Sequence, residues 1–66
     1  MRIQLNGETT VLPERATITD LLLAQGLAQR RVAVEVNGEI VPRGRHDAYA
    51  LNEGDAIEIV HALGGG

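Results

Sequence analysis

Two Asn-Gly dipeptides, Asn6-Gly7 and Asn37-Gly38, constrain the fold of this chain more than any other feature of its sequence. Each dipeptide separates two short segments in which apolar and polar residues alternate, as they do in half-buried β-strands. Asn-Gly is the strongest short-range signal for a two-residue hairpin, because both turn residues need a positive φ angle. The first hairpin ends at Pro13, which has no N–H to donate to a sheet. We therefore predict one β-hairpin at the start of the chain and another in its middle.

A single short helix is predicted between the two hairpins. Thr17 and Asp20 have the spacing of a capping box, in which each side chain bonds to the backbone of the other residue. Gly26 is suited to the left-handed conformation that ends a helix. A helix of about two and a half turns is unstable alone, so it must dock on the sheet. Its apolar stripe consists of Ile18, Leu21 and Leu22.

The second half of the chain supplies the remaining strands. Residues 32–36 alternate between valine and other residues, and the second Asn-Gly turn leads into residues 39–41, which end at Pro42. We expect a loop or a single helical turn over residues 43–47, a weak edge strand over 48–51 and the last strand over 56–63.

The predicted core takes alternate residues from each strand, together with the apolar stripe of the helix. At 66 residues, a chain buries only about 60% of the surface that its unfolded form exposes, so this core is small. Its expected members are Ile3, Leu5, Val11, Ile18, Leu21, Leu22, Val32, Val34, Val36, Ile40, Leu51, Ile57 and Ile59.

The composition argues against several classes of protein. The net charge is −3, and the six cationic residues are arginines without aromatic neighbours on which bases could stack, so we expect no nucleic-acid binding. No segment approaches the roughly 18 apolar residues of a membrane span, so we expect no membrane partner and a cytoplasmic location. The absence of Cys excludes disulfides and thiolate ligands.

Residues for catalysis or metal binding are also scarce. The chain has no Ser, Cys or Lys, whereas nucleophilic catalysis needs a nucleophile held beside an oriented base. His46 and His61 are the only histidines, and they do not make up the three or four ligands of a metal site. We expect no catalytic residue, no metal ligand and no bound cofactor, and therefore no enzyme.

A hairpin, a helix and two or three further strands predict an α+β fold. One helix covers one face of a sheet, which is typical of the β-grasp fold, or ubiquitin-like roll: a four- to five-stranded mixed sheet packed on one short helix. In known β-grasp folds the first and last strands are parallel neighbours at the centre of the sheet. We interpret residues 1–66 as a single domain in which residues 63–66 form a flexible tail.

That tail ends in three glycines, Gly64, Gly65 and Gly66. A glycine tripeptide adds nothing to a core, and it loses more conformational entropy on ordering than other sequences do. Without Cβ atoms it could enter a narrow channel and present the Gly66 carboxylate to another protein. The alternative is a frayed terminus without a function.

Three segments carry a resemblance to a known family: residues 1–7, residues 32–43, and the end of the chain from Leu51 through Val60 to Gly66. With them, the chain resembles the ThiS family, the sulfur carrier proteins of thiamine (thiazole) biosynthesis, over nearly its whole length. That family ends in Gly-Gly, and this chain adds a third glycine, Gly64, ahead of the terminal pair.

The resemblance implies a modified C-terminus and three partner proteins. An ATP-dependent adenylating enzyme of the ThiF type would activate the Gly66 carboxylate, and sulfur from a cysteine-desulfurase persulfide would convert it to a thiocarboxylate. A thiazole synthase of the ThiG type would then accept the sulfur. ATP is used by the partner enzyme and not bound by the carrier, which we expect to be a monomer when free.

A docking patch follows from the alternation of the strands. If Ile57 and Ile59 point inward, neighbouring residues of the last strand point to the open side of the sheet. The same rule applies to the strand before it, so the two strands together would form a small mixed surface. Its alternative is an ordinary solvated sheet face. The expected members of the docking patch are Arg31, Ala33, Glu35, Glu58, Val60, Ala62 and Leu63.

Other carrier proteins and other β-grasp domains remain alternatives to the interpretation as a ThiS-type sulfur carrier. The small subunit of molybdopterin synthase shares the fold and the Gly-Gly end, but such chains tend to be longer and to carry aromatic residues, whereas this one has only Tyr49. A ubiquitin-type modifier is a further alternative. A β-grasp module that binds a ligand or RNA, or a purely structural domain, would not need a free glycine terminus.

Overall fold

The computed structural model describes residues 1–61 and contains five strands, one α-helix and one 3₁₀ turn. The strands form one mixed sheet in the order β2-β1-β5-β3-β4. Strands β1 and β5 are parallel neighbours near its centre, and the other three neighbouring pairs are antiparallel. The elements are β1 (Arg2–Leu5), β2 (Glu8–Val11), α1 (Ile18–Ala24), β3 (Val32–Val36), β4 (Glu39–Val41), the 3₁₀ turn (Arg43–Arg45) and β5 (Ala56–His61).

This architecture confirms the predicted β-grasp fold, including the parallel pairing of the first and last strands. The last strand was expected to run to residue 63, and its end, like the predicted tail, lies outside the described residues. The weak edge strand expected over residues 48–51 does not form. The segment pairs with the entry to the helix instead: Ile18 N–H donates to the Tyr49 carbonyl, and Leu51 N–H donates to the Ala16 carbonyl.

The helix begins and ends where its sequence predicts. The backbone N–H of Asp20 donates to Thr17 Oγ1 at 3.1 Å, and the backbone N–H of Thr17 donates to Asp20 Oδ2 at 2.9 Å, which completes the capping box. Gly26 has a φ of 73°, and Leu27 N–H donates to the Leu22 carbonyl at 2.8 Å. These contacts close the helix with a Schellman motif, so its last carbonyls are paired despite its short length.

The core lies between α1 and one face of the sheet, but two predicted members are wrong. Val11 is 70% exposed and Ile40 is 62% exposed. In a two-residue hairpin, directly paired residues share a face of the sheet, and Val11 is paired with the exposed Arg2. Ile40 is likewise paired with the outward-facing Glu35.

The next residue along each strand is buried instead: Leu12 after β2, and Val41 in β4 opposite Val34. Val32, also predicted for the core, is half-buried at its edge. The buried apolar residues are Ile3, Leu5, Leu12, Ala16, Ile18, Leu21, Leu22, Val34, Val36, Val41, Leu51, Ile57 and Ile59.

Candidate functional site

The open face of the sheet carries five of the residues predicted for the docking patch. Ala33 lies directly opposite Val60, and Glu35 lies directly opposite Glu58, in the antiparallel pairing of β3 with β5. Arg31 is exposed just before β3 begins. The two strands therefore bring the predicted residues together on one surface. Val60 and Ala33 form an apolar pair nearer the end of β5, and Glu58 and Glu35 form an acidic pair nearer its start.

The remaining residues of the predicted site lie outside the described part of the chain. They are Ala62 and Leu63 of the docking patch and the three glycines Gly64, Gly65 and Gly66. The last described residue, His61, ends β5 and lies opposite Val32, at the start of β3. The docking patch is therefore next to the point from which the chain continues to its terminus.

Glu35 and Glu58 give the centre of the docking patch an unusual charge arrangement. Like charges directly opposite each other on neighbouring strands destabilise a sheet. Within residues 1–61 the ion pair that the structure shows joins the N-terminal amine to Glu14, so neither Glu35 nor Glu58 is paired with a cation. Two unneutralised carboxylates on an exposed face favour a partner surface that carries positive charge.

Val60 and Ile40 are the large apolar residues on this part of the face. Val60 is 59% exposed, and Ile40 is the direct neighbour of Glu35 on β4. Ile40 was predicted to lie in the core, so it was not expected to belong to the docking patch. The two-residue turn at Asn37-Gly38 is the signal that places it here, because that turn pairs residue 35 with residue 40.

Two asparagine side chains hold the ends of β5. At the start of the strand, Asn37 Oδ1 accepts from the Ala56 N–H at 2.9 Å, and Asn37 Nδ2 donates to Asp55 Oδ1 at 3.0 Å. Towards its end, Asn6 Oδ1 accepts from the Ile59 N–H at 2.8 Å, and Asn6 Nδ2 donates to the Ile59 carbonyl at 3.5 Å. Both asparagines are turn residues with positive φ, so each combines a turn conformation with a contact to β5.

A groove of about 250 Å³ lies on the helix side of the molecule. The Thr19 hydroxyl donates to Asp47 Oδ1, and the buried His46 ring places Nε2 3.0 Å from the Val41 carbonyl oxygen. These contacts use the polar groups of the groove to join the helix to the loop beside it. The lining residues are Thr19, Leu22, Ala28, Arg43, His46 and Asp47.

Residues 1–61 contain neither a metal-binding cluster nor a helix that could span a membrane. No group of three or more His, Asp or Glu side chains in this part of the chain is arranged to hold a metal ion. No helix in the same range has the length and apolarity needed to cross a bilayer.

Comparisons with known proteins agree on one family. The family model described as "ThiS family" matches residues 2–66. The sulfur carrier protein ThiS of Bacillus subtilis is 42% identical over 65 residues, which cover 97% of this chain and 98% of that protein. A crystal structure of the thiamine biosynthesis protein ThiS from Geobacter metallireducens superposes with a TM-score of 0.86 and 38% identity, and covers all of both chains.

Longer relatives also contain a matching segment. A thiazole synthase of Magnetococcus marinus is 46% identical over 66 residues, and one of Paramagnetospirillum magneticum is 42% identical over the same length. This chain spans 20% of each of these two proteins. The match over residues 2–66 and the near-complete coverage of the Bacillus relative show that the chain belongs to the ThiS family.

Proposed function

We propose that this chain is a sulfur carrier of thiamine biosynthesis and that the Gly66 carboxylate is its reactive group. The observation that carries the proposal is the family match, which continues through residue 66 and so includes the three terminal glycines. The full-length likeness to the sulfur carrier of Bacillus subtilis supports it. The chain acts in this proposal as a co-substrate of other enzymes, in the cytoplasm and as a monomer when free.

The chemistry requires activation of a poor acyl donor. A ThiF-type enzyme transfers AMP from ATP to the Gly66 carboxylate and releases pyrophosphate. The terminal sulfur of a cysteine-desulfurase persulfide attacks the acyl carbon and AMP leaves. Cleavage of the sulfur–sulfur bond by a thiol then leaves the thiocarboxylate. A ThiG-type thiazole synthase accepts this sulfur into the thiazole ring.

We assign partner binding to the open face of the sheet. Val60 and Ala33 offer an apolar contact beside the end of β5, and Glu35 and Glu58 select a basic partner surface. A partner that takes the terminus into its active site must lie next to this end of the strand. The two matching thiazole synthases support a ThiG-type partner, because a segment similar to this chain forms part of each.

The experiment compares Gly65→Val with Gly44→Val in ATP–pyrophosphate exchange with a ThiF-type enzyme. Gly65→Val is expected to abolish exchange, because bulk next to the terminus blocks its access to the nucleotide. The same variant should leave the free energy of unfolding within about 0.5 kcal/mol of the parent value. Gly44 is the control because an added Cβ there meets no atom within 4 Å and its φ is not positive.

A variant with one alanine added after Gly66 tests the terminus directly. It is expected to support neither adenylation nor thiazole formation. The intact mass of the parent chain, isolated from cells that make thiamine, should show one oxygen exchanged for sulfur. Thiazole formation by the extended variant without trimming would refute the proposed function.

A further inference from the structure

Asn6 makes a long-range contact that the hairpin itself does not require. Its own backbone N–H donates to the Ile57 carbonyl at 2.8 Å, which is the last backbone hydrogen bond between the β1 segment and β5 within residues 1–61. The chain then turns away at Asn6 and Gly7, whose φ angles are 49° and 85°. From this point β1 cannot continue alongside β5.

The side-chain amide of Asn6 makes the contacts to β5 that a continuation of β1 would otherwise make. Its oxygen accepts from the Ile59 N–H at 2.8 Å, and its nitrogen lies 3.5 Å from the Ile59 carbonyl oxygen. A primary amide presents the same acceptor and donor as a peptide group. The pairing along the β1 side of β5 is thereby extended by two residues, to within two residues of His61, the last described position.

On the other side, β3 pairs with β5 up to His61. Without the Asn6 amide, the end of β5 would be held by β3 alone, and the Ile59 N–H would lose its partner. The residues after Ile59 include Val60 of the docking patch and lead to Gly66. The direction of β5 at Ile59 therefore sets the point and the direction from which the chain continues beyond His61.

We propose that Asn6 is a positioning residue of the sulfur-carrier reaction, which aims the end of β5 so that the terminus meets the nucleotide of the activating enzyme. This inference rests on the proposed function. The amide acts through the backbone of Ile59 and touches no reacting atom.

Asn37 provides a matched comparison within the same chain. It is also the first residue of an Asn-Gly turn with positive φ, and its side chain also bonds to the β5 backbone, at Ala56. Ala56 begins the strand, whereas Ile59 lies towards the end from which the terminus continues. Loss of the Asn37 amide therefore removes a comparable contact without freeing the end of the strand.

The experiment compares Asn6→Gly with Asn37→Gly in steady-state adenylation by a ThiF-type enzyme. Glycine accepts the positive φ of both turns, so each variant keeps its hairpin. We expect Asn6→Gly to lower kcat at least about tenfold, as misplacement of a reacting group does. The KM for the carrier should change less than about threefold, because Glu35 and Glu58 remain in place. Asn37→Gly should keep both constants near the parent values.

Asn6→Asp is the rescue variant, because it keeps the oxygen that accepts from the Ile59 N–H. It is expected to recover most of the lost kcat. Amide hydrogen exchange of the free chain supplies a readout that needs no partner. The Ile59 amide should exchange faster in Asn6→Gly than in Asn6→Asp, and the change should be confined to the end of β5.

Three results would overturn the inference while leaving the proposed function intact: an unchanged kcat in Asn6→Gly, an equal loss in Asn37→Gly, or an effect on KM alone. A loss of kcat in Asn6→Asp as large as in Asn6→Gly would also overturn it. If Asn6→Gly proves unstable, Asn6→Asp is compared with the parent chain, and a kcat about tenfold below the parent value would overturn the inference. If the parent chain itself is not adenylated, the proposed function fails, and the positioning role fails with it.

Discussion

Replacing Val60 by Asp should weaken partner binding far more than it weakens the fold. Val60 is 59% exposed in the free chain. Full burial of a valine side chain stabilises by about 1.5–3 kcal/mol, so a partner that covers the exposed part gains about 1–2 kcal/mol. Loss of that contact corresponds to a roughly 5- to 30-fold weaker complex. The added carboxylate should increase the loss, because it would have to be desolvated within the apolar contact that Val60 makes.

Little of this change should reach the folded state. The residue opposite Val60 is the exposed Ala33, so an Asp side chain at position 60 can remain in water. The expected change in the free energy of unfolding is within about 1 kcal/mol, the range over which strand propensities vary. Binding and stability should therefore respond to Val60→Asp by clearly different amounts.

Val11→Asp is the matched control for Val60→Asp. Val11 is 70% exposed and pairs with the outward-facing Arg2, so it lies on the same open face, but on the edge strand β2. The same chemical change is thus made two strands away from β5. Titration calorimetry with a ThiF-type and a ThiG-type partner, run beside a thermal melt of each variant, measures both effects. Equal affinities for the two variants would show that the docking patch around Val60 is not the binding surface.

The remaining predictions concern the core and the acidic pair. Leu12→Ala should lower the free energy of unfolding by about 2–4 kcal/mol, whereas Val11→Ala should change it by less than about 0.5 kcal/mol. Similar denaturation midpoints for the two variants would contradict the register of the first hairpin. Glu58→Gln should raise the free energy of unfolding by a few tenths of a kcal/mol, because it removes one of two directly opposed carboxylates, and it should slow association with a basic partner at low salt. Glu39→Gln changes the net charge equally but lies opposite the buried Val36, so an equal loss of association rate there would show that net charge alone is responsible.

Local chemistry explains why much of the fold could be predicted from the sequence. The turns at Asn6-Gly7 and Asn37-Gly38, and the capping box at Thr17, depend on residues within a few positions of one another. Such signals specify elements and their ends without reference to the rest of the chain. The order of the strands came from known β-grasp folds and not from these residues, because the position of β5 between β1 and β3 depends on contacts across the whole chain.

The errors at Val11 and Ile40 have a different origin. Alternation within a strand fixes which residues share a face, but not which face is buried, and both strands β2 and β4 are too short to decide this alone. The register of the two-residue turns carries the missing information, since it pairs Val11 with Arg2. Combining turn register with alternation would have placed both residues correctly.

The candidate site was partly accessible to the same reasoning. Ala33, Glu35 and Val60 were placed on the open face from alternation, and the pairing of β3 with β5 brings them together. The contact between Asn6 and Ile59 joins residues 53 positions apart, and no local pattern predicts it. Whether the docking patch binds a partner, and whether Gly66 is modified, remain predictions for the experiments above.

The parallel pairing of β1 and β5 has a mechanical consequence. Because these neighbours run in the same direction, the start of the chain and the end of β5 lie at opposite ends of the sheet, about 26 Å apart along the strands at about 3.3 Å per residue. Tension between those two points would load the contacts from Gln4 to Asp55, from Asn6 to Ile57 and from Ile59 to Asn6 in shear, all at the same time. These hydrogen bonds would have to break together and not one after another. The domain should therefore resist mechanical unfolding by an enzyme that pulls on β5.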